Sequence, residues 1–264
     1  MDVARWITVF SLVAIACQPV PVTGRKQLDL VPDKQLQELA AQQYEEFLSQ
    51  NEIVEGTDQA EMVEEVGIDI KNAVEGYFEG DKERIEGLDW EFALVEDTLA
   101  NAFAMPGGKV AVFTGILPIT QDRTGLSVVM AHEIAHVVAR HGNERMSQLL
   151  VAQLGGIALS EALKNNQEKT RQLALAAFGL GAQVGVLLPY SRVHESEADR
   201  LGLIFMALAG YDPREAIAFW KRMDASAGPR PPEFLSTHPS GETRIRQLEE
   251  YLPEALKYYR PQEN

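Results

Sequence analysis

The chain of 264 residues has a single cysteine, which excludes a disulfide framework and a cysteine-rich metal site. Basic residues are scarce. Its 24 Lys and Arg stand against 39 Asp and Glu, a formal charge of −15, so the surface repels phosphate backbones and anionic headgroups, and nucleic-acid binding is disfavoured. Long apolar runs are also missing: Trp6 to Ala16 is too short to span a bilayer, and the 16 residues from Leu173 to Leu188 include Gln183 and three glycines, which fits a buried helix better. Gly107 and Gly108 before Lys109 lack the spacing and the Ser or Thr of a phosphate loop, and glycines 179, 181 and 185 do not form a dinucleotide fingerprint. No repeat array is visible.

The apolar run after Arg5 ends in Ala14-Ile15-Ala16-Cys17, which resembles the lipobox of bacterial lipoproteins, although Ala14 replaces the usual Leu. That resemblance implies a signal peptide over residues 1–16, lipidation of Cys17 and a lipid-anchored linker over residues 17–32. With Gln18 after the Cys, it implies a bacterial cell-envelope address, at the outer membrane and facing the periplasm. A plain secretory signal or an uncleaved anchor is the alternative.

Apolar residues recur at helical spacing from Leu36 to Leu48 and from Met62 to Tyr77, predicting two amphipathic helices. Residues 38–97 carry 19 acidic and 3 basic residues, a net of −16 that accounts for the whole chain's negative balance and reads as a solvated face. Strand signals follow at Trp90 to Val95 and Lys109 to Phe113, around a Pro106-Gly107-Gly108 turn, and predict a small antiparallel sheet. From Gly125 onward helices dominate, over residues 149–163, 173–188 and 193–209 and in a segment opened by Asp212-Pro213-Arg214-Glu215. The fold class expected is α+β and mainly helical, with the sheet beside the helix described next.

Residues 128–136 read Val-Val-Met-Ala-His-Glu-Ile-Ala-His, an H-E-x-x-H motif in an apolar helix. Residues four apart are 40° apart after one turn, so His132 and His136 present their imidazoles to one ion, and two neutral nitrogens suit Zn²⁺. Glu133 lies 100° around from His132, able to reach a metal-activated water without ligating the ion. Satisfied core histidines are the bland alternative, but two imidazoles and a carboxylate among Val, Ile, Met and Ala each carry a desolvation cost that a shared metal offsets. His141 is 180° from His132 on the wheel and is expected to be the C-terminal cation of that helix, capped by Gly142. Glu195 and Asp199, four apart on a later helix, supply a third ligand and a carboxylate for the free N–H of a ligating imidazole. Glu197 is about 200° from Glu195 and is expected to face elsewhere.

With these residues in place the sequence resembles a zinc metallopeptidase family, the one holding HtpX, the CAAX prenyl endopeptidases, the Oma peptidase and the bacterial lipoproteins LoiP and BepA, the last two being the nearest in likeness. The resemblance rests on Thr23-Gly24-Arg25-Lys26-Gln27-Leu28, on Asn101-Ala102-Phe103-Ala104-Met105-Pro106-Gly107-Gly108, on Leu188-Pro189-Tyr190-Ser191-Arg192 before Glu195-x-x-Ala198-Asp199, and on Ser236-Thr237-His238-Pro239 with Arg244. It implies a gluzincin-type zinc metallopeptidase domain over residues 33–264, with no tetratricopeptide array and no pair of membrane helices. It also implies one Zn²⁺ per chain on His132, His136 and Glu195, Glu133 as general base and Asp199 orienting a ligand histidine. His238 then donates to the oxyanion or occupies the open metal position, and Arg244 steadies its loop or the oxyanion. Residues Asn101, Ala102, Phe103, Ala104 and Met105 would form a sheet edge on which an extended substrate pairs.

The function expected is zinc-dependent endopeptidase cleavage of unfolded or misassembled envelope proteins, at a membrane reached through the lipid anchor. The alternative is a zinc-containing chaperone or assembly factor that holds extended polypeptide with little cleavage. A prenyl-peptide processor fits poorly, since no membrane chamber is evident.

Overall fold

The computed structural model describes residues 17–164, 168, 172, 188–226, 234–235, 238 and 241–261. The chain forms two compact units. One comprises Met1–Asp33 with Arg140–His194, and the other Lys34–Ala139 with Glu195–Asn264.

In the larger unit, helix α1 (Asp33–Gln50) buries Leu36, Ala40 and Tyr44 at a spacing of four, the stripe expected of an amphipathic helix. Helix α2 (Asp58–Tyr77) starts where the Thr57 side chain accepts the Ala60 N–H, and it buries Val63, Val66, Gly67, Ile70 and Val74. Strands β3 (Glu91–Val95), β4 (Ala102–Met105) and β5 (Lys109–Phe113) form a sheet in the order β3-β5-β4. The smaller unit supplies β1 and β2, described below.

The sheet is mixed rather than antiparallel, because β3 pairs in parallel with β5. The physical reason is the intervening strand: β4 reverses the chain, the Pro106-Gly107-Gly108 turn reverses it again, and β5 inserts between its two neighbours with the direction of β3. Gly107 and Gly108 take φ of 91° and 90°, which only glycine accepts readily. Every residue of β5 is buried, and the Tyr44 hydroxyl donates to the Val110 carbonyl at 2.8 Å. On one face Tyr44, Ala93, Val95, Ala111 and Phe113 form a cluster that Phe47, Phe103 and Met105 close. On the other, a Cβ at Gly67 would meet the Phe92 ring at 2.5 Å, so the α2 backbone lies directly on that ring.

After a short helix α3 (Leu117–Thr120), Asp122 caps α4 (Arg123–Val138) by accepting the Gly125 N–H at 2.8 Å. Nearly all of α4 is buried, as its apolar sequence requires. Helix α7 (Glu215–Ser226) is tied to the end of α3 by Arg222, which donates to the Ile119 carbonyl at 2.9 Å, and α8 (Glu242–Ala255) closes this unit.

In the smaller unit, β1 (Cys17–Pro19) and β2 (Lys26–Leu28) form an antiparallel hairpin within the stretch read as a linker. Helix α5 (His141–Ala162) follows α4 after Arg140, which holds a left-handed φ of 57°. His141 therefore opens a helix instead of closing one, and Gly142 lies inside α5 rather than capping α4. The left-handed position normally given to glycine is filled by Arg140, whose guanidinium is held by Gln18 at 2.7 Å and Asp33 at 3.0 Å. His141 is buried and stacks on His194, with ring centroids 4.3 Å apart.

Helix α6 (Leu188–Leu208) begins in the smaller unit and continues into the larger one after His194. The predicted helix over residues 149–163 is the later part of α5. The signal segment over residues 1–16 and most of the helix expected over residues 173–188 lie outside the described residues. Among the described residues, no helix is long and apolar enough to cross a membrane.

Candidate metal centre and active site

Two helices build the site. His132 and His136 sit one turn apart on α4, and α6 crosses that helix at Gly202, where a Cβ would lie only 3.2 Å from the His132 nitrogen. No side chain separates the helices there, so Asp199 and Glu195, one and two turns earlier on α6, reach the imidazoles.

His132 Nε2 lies 3.1 Å from His136 Nε2 and 3.3 Å from Glu195 Oε2, and His136 Nε2 lies 3.4 Å from Glu195 Oε1. His238 enters from a distant part of the chain, with Nδ1 3.1 Å from His132 Nε2 and 2.8 Å from Glu195 Oε2. One ligand atom from each of these four residues falls within 4.8 Å of the others, so the group can hold a metal ion. Tetrahedral donors about 2.0–2.1 Å from Zn²⁺ are about 3.3 Å apart, close to the observed separations. The residues present fit zinc in chemistry, with imidazole and carboxylate donors, as well as in spacing.

Asp199 Oδ1 lies 3.0 Å from His132 Nδ1, an arrangement that keeps the ring proton on Nδ1 and leaves the Nε2 lone pair directed at the cluster. Arg244 donates to Asp199 Oδ1 at 2.6 Å and to the His238 carbonyl at 3.3 Å, and its guanidinium lies 3.4 Å from the centre of the Trp220 ring. Trp220 stacks on Phe234, which in turn packs against His238 at 4.6 Å between ring centres. Sequence reading did not identify Trp220 and Phe234, because they join the site only through packing between α7 and residues near 234.

Glu133 is buried, with Oε1 3.2 Å from His238 Nε2, and the Ala104 backbone N–H bonds its carboxylate. That contact follows from strand parity. Phe113 donates to the Asn101 carbonyl, so residues 101, 103 and 105 turn their polar backbone groups toward β5, while Ala102 and Ala104 turn theirs to the free edge. The side chains of Phe103 and Met105 pack into the cluster below the sheet, and Asn101 Oδ1 is buried without a partner among the described residues.

The electrostatics follow from these contacts. Burial works against a charged His132, but hydrogen bonds to Asp199 and Glu195 outweigh it and raise its pKa to about 9. Burial likewise works against a charged Glu195, yet hydrogen bonds from His132, His136 and His238 hold its carboxyl far below the usual carboxylate range. Asp199 is also held low, its burial outweighed chiefly by the Arg244 guanidinium. Glu133 shifts the other way: burial pushes its carboxyl up, and the neighbouring His238 and His132 offset this only in part.

The predicted residues His132, Glu133, His136, Glu195, Asp199, His238 and Arg244 thus converge, with Ala104 beside them. Glu197 is buried as well but is not among the four residues that can share an ion. Cys17 is described only as backbone of β1.

Residues 69–252 match peptidase family M48. The chain is 44% identical over 177 residues to the mitochondrial metalloendopeptidase OMA1 of Schizosaccharomyces pombe, a match covering 64% of this chain and 48% of that protein. It is 32% identical over 249 residues to the human mitochondrial metalloendopeptidase OMA1, covering 90% of this chain and 46% of the relative. It is 32% identical over 165 residues to the β-barrel assembly-enhancing protease of Escherichia coli, covering 59% of this chain and 33% of the relative. The chain therefore spans about half the length of the OMA1 proteins and a third of the bacterial protease.

These findings correct the expected bacterial cell-envelope address. The two highest identities, 44% and 36%, belong to mitochondrial proteins of eukaryotes rather than to bacterial envelope proteins. Zinc is the metal of the matched family, in agreement with the donor set. Because the match runs from within α2 into α8, it takes in every residue that converges on the site, and the chain belongs to peptidase family M48.

Proposed function

We propose that this chain is a zinc metalloendopeptidase, with His132, His136 and Glu195 holding the ion and Glu133 acting as general base. The observation that carries the reading is the convergence of two imidazoles and a carboxylate from two helices, with a second, buried carboxylate and a free strand edge beside them. When bound, zinc acidifies a water molecule and polarises a peptide carbonyl. Glu133 takes the proton from the attacking water and delivers it to the leaving amine. Its burial favours proton uptake, and the Ala104 N–H fixes its position.

His238 shares the donor cluster in this structure, which supports its occupying the fourth position in the resting protein and leaving it to admit the substrate carbonyl. Arg244 is engaged with Asp199 and the His238 carbonyl, which supports a role in positioning His238 rather than in contacting the oxyanion. The substrate lies as an extended strand along Ala102 and the Ala104 carbonyl, the Ala104 N–H being engaged by Glu133, through main-chain pairing that demands little of its sequence. Unfolded or misassembled polypeptides meet that requirement. The E. coli relative named for β-barrel assembly agrees with this choice.

The test uses the purified chain and its Glu133→Gln variant, with casein as substrate. The variant should keep one zinc per chain and lose cleavage by at least about 100-fold. Undiminished cleavage by the variant overturns the mechanism. Zinc-loaded wild type that binds casein without cutting it favours the chaperone reading instead.

A further inference from the structure

The sheet has a second edge, on β3. Asp89 and Glu91 donate their N–H groups to the Gly107 and Gly108 carbonyls, so the alternate residues Trp90 and Phe92 turn their polar backbone groups away from β5. Further along the strand the chain itself uses that outer edge. Val54 donates to the Leu94 carbonyl at 2.9 Å and Glu96 to the Glu52 carbonyl at 2.8 Å, with Ile53 bridging Val95 in antiparallel sense. At Gly56, φ 65°, the backbone takes a left-handed turn and α2 begins soon after. Among the described residues, the outward groups of Trp90 and Phe92 have no backbone partner.

Beside them a groove of about 480 Å³ opens between β3 and α2. Trp90 and Phe92, stacked at 6.3 Å and half-buried, line it, and Glu64, Glu75, Asp89 and Glu91 rim it. Two cations temper the rim: Lys71 lies 3.6 Å from Glu75, and Lys109 pairs with Asp89 and Glu91. Four carboxylates against two ammonium groups leave the groove negative, within a segment of net charge −16. Pairing along part of this edge shows that its geometry accepts an added strand.

We propose that this groove docks an extended basic segment of polypeptide, seated as an added strand on the part of the β3 edge that residues 52–54 leave open. Main-chain pairing to Trp90 and Phe92 aligns the segment, the acidic rim selects Lys and Arg, and an aliphatic stem or guanidinium packs on the aromatic pair. This edge lies across β5 from the edge beside Glu133, so an occupant here leaves the cleavage site open. The inference deepens the endopeptidase reading by adding a second hold on a substrate, but the binding itself requires no cleavage.

Fluorescence anisotropy of a labelled decapeptide of alternating Lys and Val tests it, using the full chain with Glu133→Gln so that no probe is consumed. The Lys–Val peptide should bind, and a Glu–Val peptide should not. The double charge reversal Glu64→Lys with Glu75→Lys should weaken the Lys–Val peptide about tenfold and gain binding of the Glu–Val peptide, a gain that a misfolded variant cannot produce. Methylating alternate backbone nitrogens of the probe should abolish binding in one of the two phases. Equal binding of the two peptides, indifference to charge reversal, or indifference to methylation in both phases overturns the proposal. Without Glu133→Gln, the double variant should still cut a short uncharged peptide at the wild-type rate. Absence of cleavage by the wild type would count against the endopeptidase reading alone, since the binding comparisons do not involve turnover.

Discussion

Asp199 shows how much a single carboxylate contributes to this site. It holds the Nδ1 side of His132 and receives Arg244, so the orientation of one proposed ligand and the position of one cation both depend on it. Asp199→Asn keeps the shape but removes the charge that fixes the His132 tautomer, and zinc affinity should fall by about 10- to 100-fold while the fold persists. Competition against a chromophoric chelator measures the affinity, and unchanged affinity would show that the His132 orientation is set elsewhere. At this scale the sequence was informative wherever two residues shared a helix. His132 with His136 and Glu195 with Asp199 follow from 100° per residue, whereas Trp220 beneath Arg244 has no such relation to anything near it in sequence.

The elements matter mainly through where they touch. Glu195 and Asp199 reach α4 because Gly202 lets α6 approach the His132 backbone, and the atoms a Cβ would meet there are main chain, which cannot rotate away. Gly202→Val should therefore force the helices apart, costing about 1–3 kcal/mol in urea unfolding and weakening zinc binding as well. Loss of stability with zinc affinity intact would separate the crossing from the site. The sheet carries a similar lesson. Composition located β3, β5 and the turn, and the family resemblance supplied the β4 edge, but the parallel pairing of β3 with β5 depends on which edges meet after β4 has reversed the chain. No local preference encodes that choice.

The smaller unit has its own buried charge centre. Arg25 donates twice to Glu144, at 2.8 and 2.7 Å, and His194 Nε2 lies 2.8 Å from the same carboxylate. Burial works against this charge, but Arg25 and His194 outweigh it and lower the Glu144 pKa from 4.5 to about 2. Because the folded pKa is depressed, the stabilisation is complete above 4.5 and is lost as pH falls toward 2. Glu144→Gln should cost about 2 kcal/mol near neutrality. It should also flatten the acid limb of stability against pH, read from urea midpoints between pH 6 and pH 3. An equally steep acid limb in the variant would assign the acid sensitivity to other groups.

The sequence by itself determined most of the helices, the positions of β3 and β5, the hairpin turn and the pairs of site residues one turn apart. All of these follow from backbone geometry acting over a few residues, where apolar spacing and glycine suffice. Only the tertiary structure decided the strand directions, the left-handed Arg140 that makes His141 begin a helix, the meeting of His238 with Glu195, and the open stretch of edge beside Trp90. Those features depend on which distant surfaces come into contact, and the free energy of such contacts resides in the packed whole rather than in any local stretch of chain.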